Sequence, residues 1–573
     1  MLAGSMAEIV TIGAVVPFIS FMAKPELANS YPWLQQFFAT FGWRQPDSLV
    51  LPMSVAFVGI IVVATGIRLL LLYATNKLVF AMGYDLSVRL YSLILNQPYA
   101  YHIGRNTSEI LGDINKVQIL LGSVMRPFMD GFASVILAVA ILVALMLVDA
   151  ATALSAGLLF AAMYLLVIWL FRARLLQNSV VIATAQAARV RAIQEGLGGI
   201  RDVILDDNQL HYSQVFSRLD RQYRDALASN AIFAQSPRFI VEAIGVALIV
   251  ALAYILSLQQ GGLVAALPVL AALALGAQRL LPLIQRIYNA WAQFTGNVQV
   301  INDVLEGLDL PARDTRSKRI SSLAFDRAIE LRNVGFRYGI NETDVLKDVS
   351  VSIPKGARVG IVGQTGSGKS TLLDVVMGLL QPTRGTLRVD GVAIDATNRR
   401  DWQRHIAHVP QHIYLSDASI SENIALGIHP DRIDEKRIRC VARQAQIAEF
   451  IESGRNGYET KVGERGIQLS GGQRQRIGIA RALYKKADVL VFDEASSALD
   501  NDTETAVMNA VDKLDPELTL FIIAHRVQTL RNCDLVMRLE SGRIVESGSF
   551  SKIIGPRSDH NQTKSTNKAD KSA

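Results

Sequence analysis

The stretch Arg358-Val-Gly-Ile-Val362, followed by Gly363-Gln-Thr-Gly-Ser-Gly-Lys369-Ser370, decides the fold of the second half of this 573-residue chain. A short apolar run rich in β-branched residues leads into a glycine-rich turn, and the helix-forming stretch 371–380 follows. Glycines let successive backbone N–H groups curl around phosphate oxygens, and a helix N-terminus adds positive potential. The order strand, glycine-rich turn and helix therefore predicts an α/β domain with a phosphate-binding loop.

The end of this loop carries two side chains suited to a magnesium-bound nucleotide. The ammonium group of Lys369 can meet the β- and γ-phosphates, and the hydroxyl of Ser370 can ligate Mg²⁺. We therefore predict a nucleotide site on this segment. Its predicted nucleotide-binding residues are Gly363, Gln364, Thr365, Gly366, Ser367, Gly368, Lys369, Ser370 and Thr371.

A second apolar run, Val489-Leu-Val-Phe, ends in two acids, Asp493 and Glu494. A buried strand would place Asp493 at its carboxyl end, where the carboxylate can hold the Mg²⁺ shell, and Glu494 next to it can polarise an attacking water. Strands that end in Asp-Glu are common, so this pair is informative only together with the phosphate-binding loop.

Between these motifs lies Leu469-Ser470-Gly471-Gly472-Gln473, a turn that precedes the helical run 474–484. Glycines at a helix start form a second anion cradle. Since one nucleotide cannot occupy both cradles of a single compact domain, we expect the second cradle to bind a different nucleotide.

The composition of the chain indicates a membrane protein that carries a soluble part. Half of the residues are hydrophobic, 19% are charged and the mean hydropathy is +0.27, which excludes a disordered or collagen-like protein. The net charge is +7, but Lys and Arg lie mostly beside apolar stretches or among acids, so we predict cytoplasmic anchoring and no nucleic-acid partner. With Cys440 and Cys533 as the only cysteines, a reducing compartment fits.

Six apolar stretches in the first half are long enough to cross a bilayer, which takes about 20 residues. They are residues 2–22, 49–73, 128–148, 153–171, 239–258 and 263–283. Two long charged connections with few Gly or Pro are predicted to form helical arms outside the membrane. Because Arg and Lys are concentrated in these arms, we place the arms in the cytoplasm. The alternative is that the connections form a separate soluble domain.

Three arginines, Arg68, Arg238 and Arg279, lie within apolar sequence. An ionised group there is costly unless it is paired or faces water, so we predict that they form a substrate site for a polyanion. The alternatives are that each side chain extends to the cytoplasmic headgroups, or that Glu8 and Glu242 are their partners.

The loop at residues 24–48 has aromatic residues at helical spacing, among them Trp33, Phe37 and Phe41. This pattern predicts a short helix in the outer membrane interface. An ordinary aromatic belt around a loop is the alternative.

Taken together, the glycine-rich loop, the Leu-Ser-Gly-Gly-Gln turn, Asp493-Glu494, Ser497-Ala-Leu-Asp500 and the late His525 resemble the ABC transporter ATPase domain. The resemblance implies ATP hydrolysis with Mg²⁺. It also implies roles for several residues. Tyr338 would stack on adenine, Gln411 would contact Mg²⁺ and water, and His525 would touch the γ-phosphate. The partner chain's nucleotide would be bound by Ser470, Gly471, Gly472 and Gln473, with Asp500 at the dimer seam.

The membrane half is similar to the exporter-type transmembrane domain of the same superfamily. We therefore expect an all-α six-helix domain at residues 1–308, a linker at 309–325, an α/β ATPase domain at 326–556 and a disordered tail at 557–573. The resemblance implies a homodimer in the plasma membrane with cytoplasmic ATPase domains. In addition, members of this group usually begin with a further helix, so we expect the natural chain to begin upstream of Met1.

Among the exporters, the stretches 11–20, 236–245 and 273–282 are most similar to the bacterial lipid-linked oligosaccharide flippases. This implies a polyprenyl-pyrophosphate glycan as substrate and membrane lipid as partner. Two alternatives remain open. One is a multidrug, peptide or simple-lipid exporter, and the other is an ATP-gated channel or regulatory subunit.

Overall fold

The structure is a computed structural model that describes residues 6–7, 10–11, 50–148, 150–257, 262–311, 323–339, 342–494, 501–512, 516–523 and 527–553. The chain divides into two compact units. The first comprises Met1–Gln97 with His102–Arg313, and the second comprises Pro98–Tyr101 with Asp314–Ala573.

The described part of the first unit is built from long helices, because Gly and Pro are sparse in these stretches and apolar residues recur throughout them. Prolines nevertheless lie inside these helices at several positions, among them Pro237 and Pro282. The first-unit helices, together with α2, which lies at the boundary between the units, are α1 (Val50–Leu95), α2 (Tyr99–Ile103), α3 (Thr107–Ile119), a π-helical turn (Leu120–Met125), α4 (Arg126–Val148), α5 (Ala150–Gly198), α6 (Ile200–Leu205), α7 (Gln209–Ser257), α8 (Gly262–Gly296) and α9 (Val298–Leu308).

Three helical stretches among the described residues are long and apolar enough to cross a membrane. They are Ser54–Leu95, Thr107–Val143 and Phe160–Gly198. These stretches overlap the predicted spans 49–73, 128–148 and 153–171, and each extends well beyond the predicted span on one side. The predicted span 2–22 and the predicted aromatic helix lie almost entirely outside the described residues.

Helices α5, α7 and α8 share a core that includes Phe160, Tyr164, Val241 and Tyr288. Polar contacts also join these helices. Within this core, Asn230 accepts a hydrogen bond from Asn178 and donates one to the backbone carbonyl of Gly296. Such interhelical hydrogen bonds contribute roughly 1 kcal/mol each.

In another part of the first unit, a buried lysine joins α3 to α9. The ammonium group of Lys116 lies 2.8 Å from Asp113 and 2.7 Å from Asp303. Burial lowers the pKa of Lys116, but hydrogen bonds to both carboxylates outweigh this effect and raise it above its ordinary value. The lysine therefore stays charged and holds the two helices together.

In the described part of the second unit, the strands form two sheets. A four-stranded antiparallel sheet has the order β2-β1-β4-β5, and a six-stranded sheet has the order β10-β9-β3-β8-β7-β6. The strands are β1 (Ala328–Phe336), β2 (Leu346–Pro354), β3 (Arg358–Val362), β4 (Arg384–Val389), β5 (Val392–Ala393), β6 (Ile406–Val409), β7 (Val489–Asp493), β8 (Thr519–Ile523), β9 (Leu535–Glu540) and β10 (Arg543–Gly548).

Helices of this unit pack around the sheets, and several of them bury apolar residues in the same two clusters as the strands. They are α10 (Lys369–Val376), α11 (Arg399–Arg404), α12 (Ile420–Ile424), α13 (Glu435–Gln444), α14 (Ala448–Ser453), α15 (Gly471–Tyr484), α16 (Asn501–Asp512) and α17 (Phe550–Ile553). Short 3₁₀ turns occupy Pro430–Arg432, Gly457–Glu459, Glu464–Gly466 and Val527–Leu530.

The larger sheet positions the phosphate-binding loop. Strand β3 pairs in parallel with β8 and β9, and β7 pairs in parallel with β8 and β6. Because the carboxyl ends of parallel strands meet at one edge, the loop after β3 and the acids that end β7 come together. The predicted fold class, a helical membrane domain followed by an α/β domain, is confirmed.

Candidate active site

The phosphate-binding loop connects β3 to α10 at the carboxyl edge of the larger sheet. Gly368 precedes the helix with φ +100°, a left-handed conformation that favours glycine. At Gly363, a Cβ atom would lie 2.3 Å from the backbone oxygen of Leu539, so only glycine lets the loop pass β9 this closely. Gly363 and Gly368 are therefore required by the backbone.

The side chain of Lys369 lies within the phosphate-binding loop and bonds its backbone. Its ammonium group donates 2.9 Å hydrogen bonds to the backbone carbonyls of Gly363 and Gln364, and the residue is 8% exposed. The hydroxyl of Ser367 is buried with no hydrogen-bond partner among the described residues. A buried hydroxyl of this kind needs an acceptor, and a phosphate oxygen in the loop would supply one. The loop thus fits the nucleotide phosphates that the sequence predicts.

The two predicted magnesium ligands are adjacent. The hydroxyl of Ser370 lies 3.4 Å from a carboxylate oxygen of Asp493. Hydroxyl and carboxylate oxygens are the ligands that Mg²⁺ prefers, so the pair suits this ion. Burial raises the pKa of Asp493, and the hydroxyl of Ser370 and the ammonium of Lys369 oppose that shift. No group of three or more His, Cys, Asp or Glu side chains in the described part of the chain suits a metal ion.

Gln411 and Glu494 form a second pair at the same edge. The amide nitrogen of Gln411 donates a 2.7 Å hydrogen bond to the carboxylate of Glu494. Glu494 has φ +52°, which costs a non-glycine residue about 1 kcal/mol or more. Its own N–H donates to the carbonyl of Ile523 on β8, which holds the residue in this conformation. The strained backbone directs the carboxylate towards Gln411 rather than along β7.

Tyr338 lies near the start of α10. Its hydroxyl is 3.1 Å from the hydroxyl of Thr371, and its ring meets the ring of Phe336 edge-on at 5.0 Å. The tyrosine is 47% exposed, so one side of the ring is accessible. An accessible aromatic face next to the loop suits the stacking on a base that the resemblance implies.

The Leu469–Gln473 turn is the N-terminus of α15. Ser470 accepts a hydrogen bond from the N–H of Gln473, and the side chain of Gln473 accepts one from the N–H of Ser470. This reciprocal capping box leaves the N–H groups of Gly471 and Gly472 pointing out of the helix end. In the part of the chain that the structure describes, no hydrogen bond joins this turn to the phosphate-binding loop.

The other predicted residues fall in three places. Asp500 and His525 lie outside the described residues. Of the predicted substrate arginines, Arg68 lines a cavity of the first unit. Arg238 and Arg279 do not line that cavity, and Arg238 lies 3.9 Å from Glu242, one of the partners considered from the sequence.

The structure adds an acid that sequence reasoning missed. Asp374 lies one helical turn after Ser370, and burial together with the charge of Asp493 raises the pKa of Asp374 to about 6. The sequence signal for Asp374 was its position four residues after Ser370, since residues four apart share a helix face. Because Asp374 adds a carboxyl group near Asp493, this corner of the site is sensitive to pH.

Comparison with known proteins agrees with this geometry. A family model described as ABC transporter matches residues 346–497, and one described as ABC transporter transmembrane region matches residues 27–280. The chain belongs to the ABC transporters. It is a multi-pass membrane protein whose second unit is an ABC ATPase domain.

Two curated relatives of this ABC transporter are named for glycan or glycolipid export. The β-(1→2)glucan export ATP-binding/permease protein NdvA of Rhizobium etli is 44% identical over 44% of this chain and 42% of the relative. The ATP-dependent lipid A-core flippase of Chromohalobacter salexigens is 38% identical over 47% of this chain and 45% of the relative. The chain thus spans less than half the length of these two relatives.

A longer match supports the same family, and a solved structure supports the fold. The ATP-dependent lipid A-core flippase of Bordetella avium is 34% identical over 67% of this chain and 64% of the relative. A bacterial Atm1-family ABC exporter with ATP bound has a TM-score of 0.75 at 21% identity and covers 98% of both chains. At that identity the likeness concerns the fold alone.

Proposed function

We propose that this chain is half of an ATP-driven exporter, works as a homodimer and moves a polyprenyl-pyrophosphate-linked oligosaccharide across the plasma membrane. One observation carries the ATPase part of the proposal. The pair of Ser370 and Asp493 and the pair of Gln411 and Glu494 lie at the same sheet edge, directly after the phosphate-binding loop. These are the groups that nucleotide hydrolysis needs.

In the proposed reaction, the residues of the loop hold and orient ATP. The ammonium of Lys369 leaves the carbonyls of Gly363 and Gln364 and turns to the β- and γ-phosphates, where it offsets the negative charge. Glu494 accepts a proton from the attacking water, and Gln411 holds that carboxylate in position. Ser370 and Asp493 would hold Mg²⁺, which when bound neutralises charge on the transferred phosphoryl group.

Dimerisation follows from the second anion cradle. The cradle at Ser470–Gln473 needs a phosphate ligand, and the loop of its own unit already binds one nucleotide. Two copies facing each other would place each cradle on the γ-phosphate of the other copy's ATP. ATP binding would then close the pair, hydrolysis would open it, and the helical arms would transmit the change to the membrane unit.

The substrate assignment rests on chemistry and on the relatives. A pyrophosphate headgroup cannot cross hydrocarbon unaided, because transfer of an isolated charge into it is very costly. The relatives named above are a lipid A-core flippase and a glucan exporter, and the membrane unit contains arginines that suit an anionic headgroup.

The test is headgroup translocation in proteoliposomes with a panel of lipid-linked glycans. We expect ATP-dependent loss of the labelled headgroup from the leaflet that faces the ATPase domains, and no loss with the Glu494→Gln variant. ATPase stimulation by hydrophobic drugs, without translocation of any lipid-linked glycan, would contradict the substrate assignment. An enzyme that hydrolyses ATP normally as a monomer would contradict the dimer.

A further inference from the structure

The segment that begins at Gln411 is attached to helix α15, whose N-terminus is the Ser470–Gln473 cradle. The guanidinium group of Arg481 on α15 donates a 2.9 Å hydrogen bond to the carbonyl of Tyr414 and a 2.8 Å bond to the carbonyl of Asn423. The planar fork of donors lets one arginine reach both carbonyls at once, which a lysine cannot do. A single side chain therefore joins α15 to the segment after Gln411 and to α12.

A glycine provides a second attachment between the same elements. Gly478 lies three residues before Arg481 on α15, and a Cβ atom there would lie 2.5 Å from Cδ1 of Ile413. Protein interiors are close-packed, so a larger residue at position 478 would displace Ile413 from the helix. An apolar contact and a pair of hydrogen bonds thus hold the adjacent residues 413 and 414 against α15 independently of each other.

The side chain of Asn423 fixes the rest of the segment. Asn423 is fully buried, and its amide oxygen accepts a 3.0 Å hydrogen bond from the N–H of Ser416. Its amide nitrogen donates 3.0 Å bonds to the carbonyls of Ser416 and Ser419. A buried amide whose hydrogen bonds are made in this way specifies one backbone conformation. The chain from residue 413 to residue 419 is therefore held as one piece on α15.

Both ends of this connection belong to the candidate active site. At one end, the amide of Gln411 donates a 2.7 Å hydrogen bond to the carboxylate of Glu494. At the other end, the cradle is the N-terminus of α15 (Gly471–Tyr484). At 1.5 Å per residue, it lies about 15 Å from Arg481 along the helix. A displacement of α15 therefore moves the backbone that carries Gln411.

We propose that Arg481 is a positioning residue for ATP hydrolysis, which sets Gln411 against Glu494 in response to the occupancy of the cradle on the same chain. The inference rests on the proposed function, because it takes this cradle to bind the nucleotide of the other copy. A phosphate on the cradle fixes α15, and α15 fixes the segment through Arg481. The amide of Gln411 then holds the carboxylate that activates water. Hydrolysis in each copy thus depends on ATP at both sites.

A neighbouring arginine separates this role from simple attachment. Arg476, on the same helix, donates a 2.7 Å hydrogen bond to the carbonyl of Gln446, which lies between α13 and α14. It also ties α15 to a loop, but that loop carries no residue of the candidate active site. Arg476→Lys is therefore the matched control for Arg481→Lys, since both variants keep the positive charge and lose the guanidinium fork.

The experiment measures steady-state ATP hydrolysis by the full-length protein in proteoliposomes. In a double-mutant cycle, Arg481→Lys and Gln411→Ala are made singly and together. Because Arg481 acts through Gln411, kcat should fall about tenfold in each single variant and no further in the double variant. The Hill coefficient for ATP, which can reach about 2 for two coupled sites, should fall towards 1 in Arg481→Lys.

The controls exclude an indirect effect of lost stability. Arg476→Lys should keep the Hill coefficient of the natural protein, and any loss of kcat that it causes should multiply with that of Gln411→Ala. If Arg481→Lys yields no folded protein, Gly478→Ala replaces it in the cycle with the same expected result. That variant displaces Ile413 from α15, whereas alanine itself favours the helix.

Two results would overturn the inference and leave the proposed function intact. One is a dimeric, cooperative natural protein whose Arg481→Lys variant has the same kcat and Hill coefficient. The other is a double variant in which the losses from Arg481→Lys and Gln411→Ala multiply. A natural protein that hydrolyses ATP equally well as a monomer would instead contradict the proposed dimer, and with it the role of the cradle.

Discussion

The hydroxyl of Tyr288 on α8 donates a 2.9 Å hydrogen bond to the backbone carbonyl of Phe233 on α7. That carbonyl is the one left without a helical partner by Pro237, which has no N–H four residues later. Next to this contact, Gln285 donates a 2.8 Å hydrogen bond to the carbonyl of Ala234. Helix α8 therefore satisfies the carbonyl that the proline leaves without a partner in α7, at a buried helix–helix contact where Tyr288 and Ala234 are each 2% exposed.

Replacement of Tyr288 by Phe should destabilise the protein by about 1 kcal/mol, because the carbonyl of Phe233 loses its partner. The measurement is thermal unfolding of the full-length protein in detergent. Tyr84→Phe, which changes an exposed tyrosine of α1, is the matched control and should leave the midpoint unchanged.

A double-mutant cycle with Pro237→Ala tests the cause. An alanine restores the N–H that the carbonyl of Phe233 lacks, so Tyr288→Phe should cost little in the Pro237→Ala background. The interaction free energy between the two positions should exceed about 0.5 kcal/mol. Additive effects would show that the hydroxyl stabilises the protein for some other reason.

The catalytic assignment predicts that Glu494→Gln lowers the rate of ATP hydrolysis by at least about 100-fold, the range expected when a general base is removed. Affinity for ATP should be nearly unchanged, because the loop and Lys369 are intact. Single-turnover hydrolysis and nucleotide binding separate the two effects. Glu449→Gln, on the exposed side of α14, is the control. A normal rate in Glu494→Gln would mean that another group activates the water.

Some contacts of the candidate active site can be predicted from the sequence and others cannot, for physical reasons. The proximity of Ser370 and Asp493 follows from the pattern alone, because both come after buried parallel strands whose carboxyl ends share an edge. The hydrogen bond between Gln411 and Glu494 was not predicted: the family resemblance implied only that Gln411 contacts Mg²⁺ and water, and residues 83 positions apart with no shared pattern carry no local signal.

One cavity of the first unit is lined by Arg68, Arg126 and Arg286, and the sequence singles out only Arg68 among these three. Arg126 and Arg286 lie at the ends of predicted spans, where anchoring explains a single basic residue, so nothing in their local sequence distinguishes them. Their convergence with Arg68 depends on a π-helical turn and on the packing of Gly131 against Ala290. Such tertiary features cannot be derived from hydropathy.

A half-buried arginine joins the helix that follows the Leu-Ser-Gly-Gly-Gln turn to the segment after Gln411. Arg481 on α15 donates hydrogen bonds of 2.8 and 2.9 Å to the carbonyls of Asn423 and Tyr414. Arg481→Met should lower the free energy of unfolding by about 2 kcal/mol, since it removes both hydrogen bonds and one of them is to the fully buried Asn423. Arg443→Met, at an exposed position of α13, should have little effect in the same thermal unfolding assay. Equal midpoints for both variants would show that solvent replaces these hydrogen bonds.

The raised pKa of Asp374 predicts a pH dependence of stability in the nucleotide-free protein. The ordinary value is 3.8 and the value in the folded protein is about 6, so between these values the folded state binds more protons than the unfolded state. Stability should then fall as the pH rises from about 4 to 6 and stay level above that range. Because the carboxyl group is partly solvated, we expect a loss of only about 1 kcal/mol.

The variant Asp374→Asn, which resembles the protonated acid, should remove this loss. The thermal midpoint of Asp374→Asn minus that of the natural protein should increase between pH 4.5 and 6.5. The two midpoints should be most similar at the acid end of this range.

Asp390 provides a contrast, because its pKa is shifted in the opposite direction. Burial raises its pKa, but hydrogen bonds from three backbone N–H groups outweigh this effect and lower it, so its contribution to stability is lost as the pH falls. The midpoint of Asp390→Asn should therefore fall further below that of the natural protein as the pH rises from the acid end. A difference between Asp374→Asn and the natural protein that stays constant with pH would show that Asp374 is ionised in the folded protein throughout this range.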